Sequence, residues 1–243
     1  MLNIAVIMCY CGRNERWLYN AICSLKSKHK VDIYVHLDGC QRPVSFVLDS
    51  MATVIQSLPK VGYANGINKC VLEIMRSGIK YDYIARMDDD DICTDDRLDK
   101  QVEFLESHNE IDFCGTLLCT IDTNDKVINE CETHQKWNGK EWVDRFLEGG
   151  CHIANGTCMF KGKMLYEGHI WYNPLYIVIE DYELWFRLFR QGYKYAVVEE
   201  PLYKYRVHPG QETQNGNMFH KRMSVATEIH RFYKSNWENF LLK

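Results

Sequence analysis

The sequence is poor in several features that would assign it to a class at once. Its 243 residues include only five prolines, so no proline-rich linker divides the chain. No apolar run is long enough for a membrane span, and the run at 4–8 is too short even for the core of a signal peptide. The formal net charge of −4 leaves no basic excess to meet the phosphates of a nucleic acid. We therefore expect a cytoplasmic protein that does not bind nucleic acid.

Cysteine is not scarce, but its spacing carries no metal or disulfide signature. The 11 cysteines form no Cys-x-x-Cys pair, their number is odd, and only Cys9 and Cys11 lie close together. Structural zinc sites and secreted disulfide frameworks need other spacings. The pattern predicts free thiols in a reducing cytosol.

The order of strand and helix signals predicts an α/β fold. Strands are expected at 3–8, 31–37, 53–58 and 81–87, and helices at 15–27, at 66–76 and from an N-cap at Thr94 to about residue 108. Later signals are weaker, with strands expected at 112–121 and 157–160 and helices at 141–147 and 182–190. Such alternation favours a mostly parallel central sheet with helices on both faces.

Four consecutive aspartates follow the apolar strand that ends near Met87. Ligands of open α/β sheets bind beyond the carboxyl ends of the strands, so these acids lie where function is expected. Adjacent carboxylates raise one another's pKa, and a divalent cation would relieve the repulsion. Oxygen ligands favour Mg²⁺ or Mn²⁺ over zinc, and Asp88 and Asp90 project to the same side of an extended chain. The alternative interpretation is a solvated helix entrance whose acids face the positive end of the next helix.

Three other segments combine polar side chains with strand or helix ends. Asp38 ends the second strand and can accept a hydrogen bond from a nucleobase, although taken alone this residue is better explained by a strand-ending turn with Gly39. The glycine-bearing stretch 61–68 is either an approach to a nucleotide or a simple helix entry. Glu180 and Asp181 open a helix, either as a general base for an acceptor hydroxyl or as ordinary complements to the helix dipole.

Two residues of the stretch 205–209 are also candidates. Arg206 is suited to a diphosphate, and His208 is suited to a metal ion. A single histidine in a loop is more often merely exposed, and that alternative stays open here.

Together these segments resemble the family 2 glycosyltransferases of bacteria, which have the GT-A fold. The similarity runs from about residue 4 to residue 208. Its most specific parts are 83–107, YIARMDDDDICTDDRLDKQVEFLES, which resembles the DxD strand and following helix, and 179–208, which resembles the ED helix and closing strand. The resemblance implies a Rossmann-like donor-binding half at 1–110, an acceptor-binding and catalytic-base half at 111–210, and a C-terminal helical tail at 211–243.

The resemblance also implies a role for each matching position. Asp181 matches the general base. The residues implied on the donor side are Asp38, Asn68, Arg86, Asp88, Asp89 and Arg206. The residues implied on the acceptor side are Glu180, Asn155 and Trp185. The implied ligands of Mn²⁺ or Mg²⁺ are Asp90, Asp88 and His208.

The chain departs from the family pattern at three places. The second strand ends in the single acid of Leu37-Asp38, where two acids are usual. Ile67 stands where relatives often carry a basic residue. Asn155-Gly156 replaces a frequent His-Pro, which makes the acceptor side less typical than the donor side.

The implied activity is an inverting, metal-dependent transfer from a nucleotide-sugar, usually a UDP-sugar, to a hydroxyl of a saccharide or lipid-linked acceptor in surface polysaccharide synthesis. Two rival functions remain open. One is a metal-dependent nucleotidyltransferase or phosphohydrolase, and the other is a non-catalytic module that binds nucleotide-sugars. The sequence does not define an oligomeric state.

The C-terminal tail carries an apolar stripe at helical spacing among basic residues. The stripe consists of Phe219, Met223, Ala226, Ile229, Tyr233, Trp237 and Phe240. It predicts either a helix packed on the catalytic body or another subunit, which we favour, or a peripheral contact with the inner face of an anionic membrane.

Overall fold

The computed structural model of the protein describes residues 1–40, 46–130, 153–177, 179–211 and 224–232. The strands in these residues are β1 (Asn3–Tyr10), β2 (Lys30–Asp38), β3 (Thr53–Ser57), β4 (Tyr83–Arg86), β5 (Ile92–Cys93), β6 (Phe113–Ile121), β7 (Val127–Asn129), β8 (Met159–Lys161) and β9 (Tyr195–Arg206). The helices are α1 (Glu15–Ser24), α2 (Phe46–Met51), α3 (Tyr63–Arg76), α4 (Arg97–Ser107), α5 (Lys163–Tyr166), α6 (Glu180–Arg190) and α7 (224–232). A short 3₁₀ turn covers Asn155–Thr157.

The strands form one sheet in the order β3-β2-β1-β4-β8-β6-β9-β5, with β7 paired to β6. The pairs among β1 to β4 are parallel. Strand β8 is antiparallel to both β4 and β6, so β6 and its parallel partner β9 run in the same direction as β4. The carboxyl ends of β1, β2, β4, β6 and β9 therefore meet at one edge of the sheet.

The central strands are buried on both faces, as an apolar sequence without polar alternation requires. In β1, Ala5 and Ile7 belong to one core cluster, while Val6 and Met8 belong to the other. Helices α3 and α6 pack in the first cluster, and α1 and α4 pack in the second. The predicted sheet with helices on both faces is confirmed.

Several predicted boundaries shift in the structure. Helix α3 begins at Tyr63, three residues before the predicted start, because Gly62 is its N-cap. The prediction that Thr94 is an N-cap is wrong, since α4 begins at Arg97 after Asp96. The N–H of Thr94 donates instead to the carbonyl of Leu202 at 3.0 Å, which extends the pairing of β5 with β9. The predicted helix at 141–147 lies outside the described residues.

The described part of the tail packs on the body of the protein. Ile229 in α7 is 3% exposed and belongs to the core cluster of α3 and α6, and Val225 and Ala226 pack against the same cluster. For α7 the packed interpretation is therefore the correct one. The other residues of the predicted stripe lie outside the described part of the chain. None of the helices that the structure describes is long and apolar enough to cross a bilayer.

The nine cysteines that the structure describes are free thiols. Most of them are buried, and burial raises the pKa of Cys9, Cys70, Cys114 and Cys158.

Candidate active site

A cleft of about 410 Å³ lies at the sheet edge where the carboxyl ends meet. It gathers predicted site residues from distant parts of the chain, namely Asp38, Asp88, Asp89, Asp90, Asn155, Glu180 and Asp181. The remaining predicted site residues do not line it, and these are Asn68, Arg86, Trp185, Arg206 and His208. Their positions are described below.

The acid turn, residues 88–91, follows directly after β4. Asp91 is fully buried, whereas 31% of the Asp88 side chain and 16% of the Asp90 side chain are exposed. Burial raises the pKa of Asp88, Asp89 and Asp91, and repulsion between neighbouring aspartates raises these pKa values further. The expected repulsion is therefore present, but burial is the larger cause. A cation in the cleft would lower the cost of ionising these groups.

His208 contacts the acid turn from the loop that follows β9. Its Nε2 lies 2.9 Å from Oδ2 of Asp90, and its Nδ1 accepts the N–H of Gly210 at 3.2 Å. Because Nδ1 is an acceptor, a neutral ring carries its proton on Nε2 and donates it to Asp90. The ring packs on Trp17 with a centroid distance of 4.7 Å. His208 thus holds the aspartate that sequence reasoning assigned to the metal.

Arg206 is fully buried and supports the acid turn from inside the protein. Its Nε donates to the carbonyl of Asp90 at 2.6 Å, and its guanidinium is ion-paired with Asp125 at 2.6 Å. Its backbone N–H donates to Oδ1 of Asp91 at 2.7 Å. Through these contacts Arg206 fixes the acid turn. To bind a diphosphate directly, the Arg206 side chain would have to break its contacts with Asp90 and Asp125.

Asp38 organises the loop that leads into α3. Its carboxylate accepts the N–H of Val61 at 2.6 Å and the N–H of Gly62 at 3.0 Å. Gly62 has φ of 88°, a conformation that favours glycine, and α3 starts at the next residue. A carboxylate has about four lone-pair sites, so Asp38 keeps acceptor capacity toward the cleft that it lines.

Asn68 and Trp185 have structural contacts. The amide of Asn68 exchanges two hydrogen bonds with the backbone of Tyr172, at 2.8 and 2.9 Å. Trp185 is fully buried, and its ring stacks on Phe113 with a centroid distance of 5.6 Å. The structure therefore places Trp185 in the core, and the expectation that it contacts an acceptor does not fit this position.

Glu180 and Asp181 reach the cleft from the first turn of α6. Oδ1 of Asp181 accepts the N–H of Tyr182 at 2.8 Å, which fixes the direction of the carboxylate. The side chain of Glu180 is mostly buried, while Asp181 is partly exposed. A partly exposed, oriented carboxylate facing a cleft has the properties that a general base requires.

Arg86 lies beneath the acid turn, and it brings in residues that sequence reasoning missed. It is fully buried and donates to the carbonyl of Ile7, to the hydroxyl of Tyr63 and to Oδ1 of Asp88, the last at 3.3 Å. Tyr63, Arg13 and Lys60 also line the cleft. The sequence did contain a signal for these three residues, because each of them follows a predicted strand that ends at this edge of the sheet.

Arg97 and Gln101 hold the 3₁₀ turn beside the acid turn. Nη2 of Arg97 donates to the carbonyls of Arg86 and Gly156 at 2.8 and 2.9 Å. Nε2 of Gln101 donates to the carbonyl of Thr157 at 2.9 Å. A Cβ atom on Gly156 would lie 2.6 Å from Oδ2 of Asp88, so glycine is required for this close approach.

The described residues contain no group of three or more His, Cys, Asp or Glu side chains arranged to hold a metal ion. Mg²⁺ typically uses only one or two carboxylates and completes its shell with substrate phosphates and water. Asp88, Asp89 and Asp90 line the same cleft, and repulsion from neighbouring aspartates contributes to the raised pKa of Asp88 and Asp89, which a bound cation would relieve. The residues therefore fit an ion that arrives with a phosphate ligand.

Comparison with known proteins assigns the class. The model of the glycosyl transferase family 2 matches residues 5–167, and the chain belongs to this family. A structure of Staphylococcus aureus TarS 1–349 in complex with UDP-GlcNAc is similar with a TM-score of 0.66 and 12% identity, over 94% of this chain and 66% of that one. The likeness confirms the GT-A fold implied by the sequence.

Curated relatives agree with the family. An uncharacterized glycosyltransferase of Haemophilus influenzae is 28% identical over 240 residues, which are 96% of this chain and 82% of the relative. The amylovoran biosynthesis glycosyltransferase AmsE of Erwinia amylovora is 27% identical over 187 residues, which are 72% of this chain and 64% of AmsE. Across the curated relatives, the match spans 49% to 82% of the relative's own length.

Proposed function

We propose that the protein transfers a sugar from a nucleotide-sugar, a UDP-sugar, to a hydroxyl group of a saccharide or lipid-linked saccharide in bacterial polysaccharide synthesis. One observation carries the proposal: the acid turn after β4 and the carboxylates that open α6 line a single cleft. The acids proposed to bind the donor and the acid proposed to act as the base thus face the same cleft. AmsE is named for amylovoran biosynthesis and the TarS complex contains UDP-GlcNAc, which supports the substrate classes proposed for this chain.

In the proposed reaction Asp181 is the general base. Its carboxylate accepts the proton of the acceptor hydroxyl while the oxygen attacks the anomeric carbon, and the nucleoside diphosphate leaves from the opposite face with inversion. A divalent cation bound with the donor would offset the negative charge that develops on the leaving diphosphate. Asp88, Asp89 and Asp90 would hold that cation, with Asp90 oriented by His208.

In this proposal the donor is oriented by the end of β2 and by the 3₁₀ turn at Asn155–Thr157. Asp38 is proposed to accept an N–H of the base, because its carboxylate lines the cleft at the end of β2. Asn155 is proposed to face the sugar or the acceptor from the 3₁₀ turn. Acceptor recruitment is proposed to take place at the cleft, and α7, the described part of the tail, packs on the body of the protein.

A panel of nucleotide-sugars incubated with the protein and Mn²⁺ tests the proposal. Release of a nucleoside diphosphate from one UDP-sugar, increased by saccharide acceptors, is the expected result. Release of pyrophosphate would instead identify a nucleotidyltransferase. Binding without any turnover, including slow donor hydrolysis, would identify a non-catalytic module. The Asp181→Asn variant is the matched negative control for chemistry, since an amide keeps the shape but cannot act as the base.

A further inference from the structure

We infer that Tyr63 is a positioning residue of this cleft: its hydroxyl fixes the carboxylate of Asp88 and the side-chain amide of Asn155 together. The inference deepens the proposed function and rests on it, because Asp88 and Asn155 belong to the proposed donor and acceptor sides. Neither the sequence pattern nor the family resemblance assigns a role to residue 63.

The backbone places Tyr63 at the junction of three elements. It is the first residue of α3, directly after the loop that Asp38 holds through Val61 and Gly62. Its ring meets Tyr172 edge-on with a centroid distance of 6.2 Å, and the guanidinium of Arg86 lies 5.4 Å from its centroid. The ring is therefore confined, and its hydroxyl is aimed at one point.

The hydrogen-bonding capacity of that hydroxyl is fully used. A tyrosine hydroxyl offers one proton and accepts at two lone pairs. Arg86 and the amide of Asn155 donate to it, the second at 3.0 Å. Its own proton is left for Oδ1 of Asp88 at 3.5 Å. A tyrosine hydroxyl has an ordinary pKa of about 10, so it keeps this proton near neutral pH.

The same contacts decide which way the amide of Asn155 faces. Its Nδ2 donates to Tyr63, and its Oδ1 accepts the hydroxyl of Tyr172 at 2.7 Å. One N–H and one oxygen lone pair of the amide remain for the cleft. This combination matches a sugar hydroxyl, which is both a donor and an acceptor. If the Asn155 amide were flipped, its N–H group would face the hydroxyl proton of Tyr172, and the hydrogen bond from Tyr172 would be lost.

A purely structural role does not explain the hydroxyl. Phenylalanine would fill the same space and keep the ring contacts with Arg86 and Tyr172. The oxygen of Tyr63 is instead shared by three polar groups, and two of these belong to residues that line the cleft, Asp88 and Asn155.

The test compares Tyr63→Phe with Tyr193→Phe, which removes an exposed hydroxyl that donates to Glu167 far from the acid turn. Affinity for UDP with Mn²⁺ is measured by calorimetry. We expect about tenfold weaker binding in Tyr63→Phe, the factor that loss of one hydrogen bond to a charged group produces, and unchanged binding in the control. Tyr63→Met, which also lacks the hydroxyl, repeats the measurement with a different shape.

Measuring Tyr63→Phe also in a protein that carries Asp88→Asn shows whether the hydroxyl acts by positioning Asp88 or whether its loss disturbs the whole cleft. UDP lacks the sugar that is to be transferred, so its affinity reports on Asp88 and not on Asn155. In this background Tyr63→Phe should cause little further loss of UDP affinity, because its effect passes through the Asp88 carboxylate. Equal losses in both backgrounds, or an affinity of Tyr63→Phe within twofold of the unchanged protein, would overturn the inference.

A second measurement needs no ligand. Urea unfolding of Tyr63→Phe, Asn155→Ala and the double variant should be non-additive, with the double variant losing less stability than the sum of the single losses. Additive losses would show that the two side chains do not depend on each other. If the unchanged protein failed to bind any UDP, the proposed donor would be wrong, while the unfolding cycle would still decide whether Tyr63 holds Asn155.

Discussion

Replacing Arg97 by methionine should destabilise the protein and loosen the candidate site. Arg97 is fully buried, and its Nη2 donates to the carbonyls of Arg86 and Gly156. Methionine fills much of the space but donates no hydrogen bond. Each buried acceptor left without a partner costs about 1–3 kcal/mol, so the two carbonyls together cost about 2–6 kcal/mol.

This cost is large enough to measure directly. For a chain of this size 1 kcal/mol shifts the melting temperature by roughly 2–4 °C, so Arg97→Met should melt at least about 4 °C lower. Arg76→Met is the matched control, because Arg76 is exposed at the end of α3 and its loss should change stability by no more than about 0.5 kcal/mol. Equal melting temperatures for the two variants in a calorimetric scan would refute the reasoning.

Three further predictions concern the acids and a buried histidine. Asp181→Asn should lower kcat about 10²–10⁴-fold and leave the affinity for UDP with Mn²⁺ nearly unchanged; a near-normal transfer rate would exclude it as the base. Asp90→Asn should weaken Mn²⁺-dependent UDP binding in calorimetry, whereas Asp95→Asn, at an exposed ion pair, should not. Burial lowers the pKa of His36 from 6.5, so the neutral ring stabilises the fold above that pH and this stability is lost as pH falls through the lower, folded-state pKa. Between pH 7.5 and pH 5.5 the free energy of unfolding, measured by chemical denaturation, should therefore fall less for His36→Gln than for the unchanged protein.

The strands and helices of the first hundred residues were predictable because local signals and tertiary structure agree there. The run at 4–8 is apolar at every position, and the structure buries it on both faces within a parallel sheet. The acid turn, Asp38 and Asp181 were found because each follows or opens an element whose end lies at the functional edge. Chain direction alone was enough to bring these residues to one cleft.

The partners of the acid turn were not predictable, because they depend on side-chain directions that no local pattern encodes. The sequence suggested that Arg206 and His208 face a ligand, yet both contact the acid turn itself. Thr94 has the composition of an N-cap, but pairing with β9 takes its backbone N–H. Tyr63 lies in a segment that was recognised as a helix entry, and only the three-dimensional structure shows where its hydroxyl points.

The contacts between β9 and the acid turn have a consequence for biosynthesis. Arg206 follows Asp91 by 115 positions and His208 follows Asp90 by 118, so the acid turn receives these partners from the end of β9 and the loop just after it. At about 5–20 residues per second, a ribosome takes roughly 6–24 s to make this interval. During that time the acid turn lacks the two side chains that later contact it, and these contacts can form only after residue 208 has left the exit tunnel.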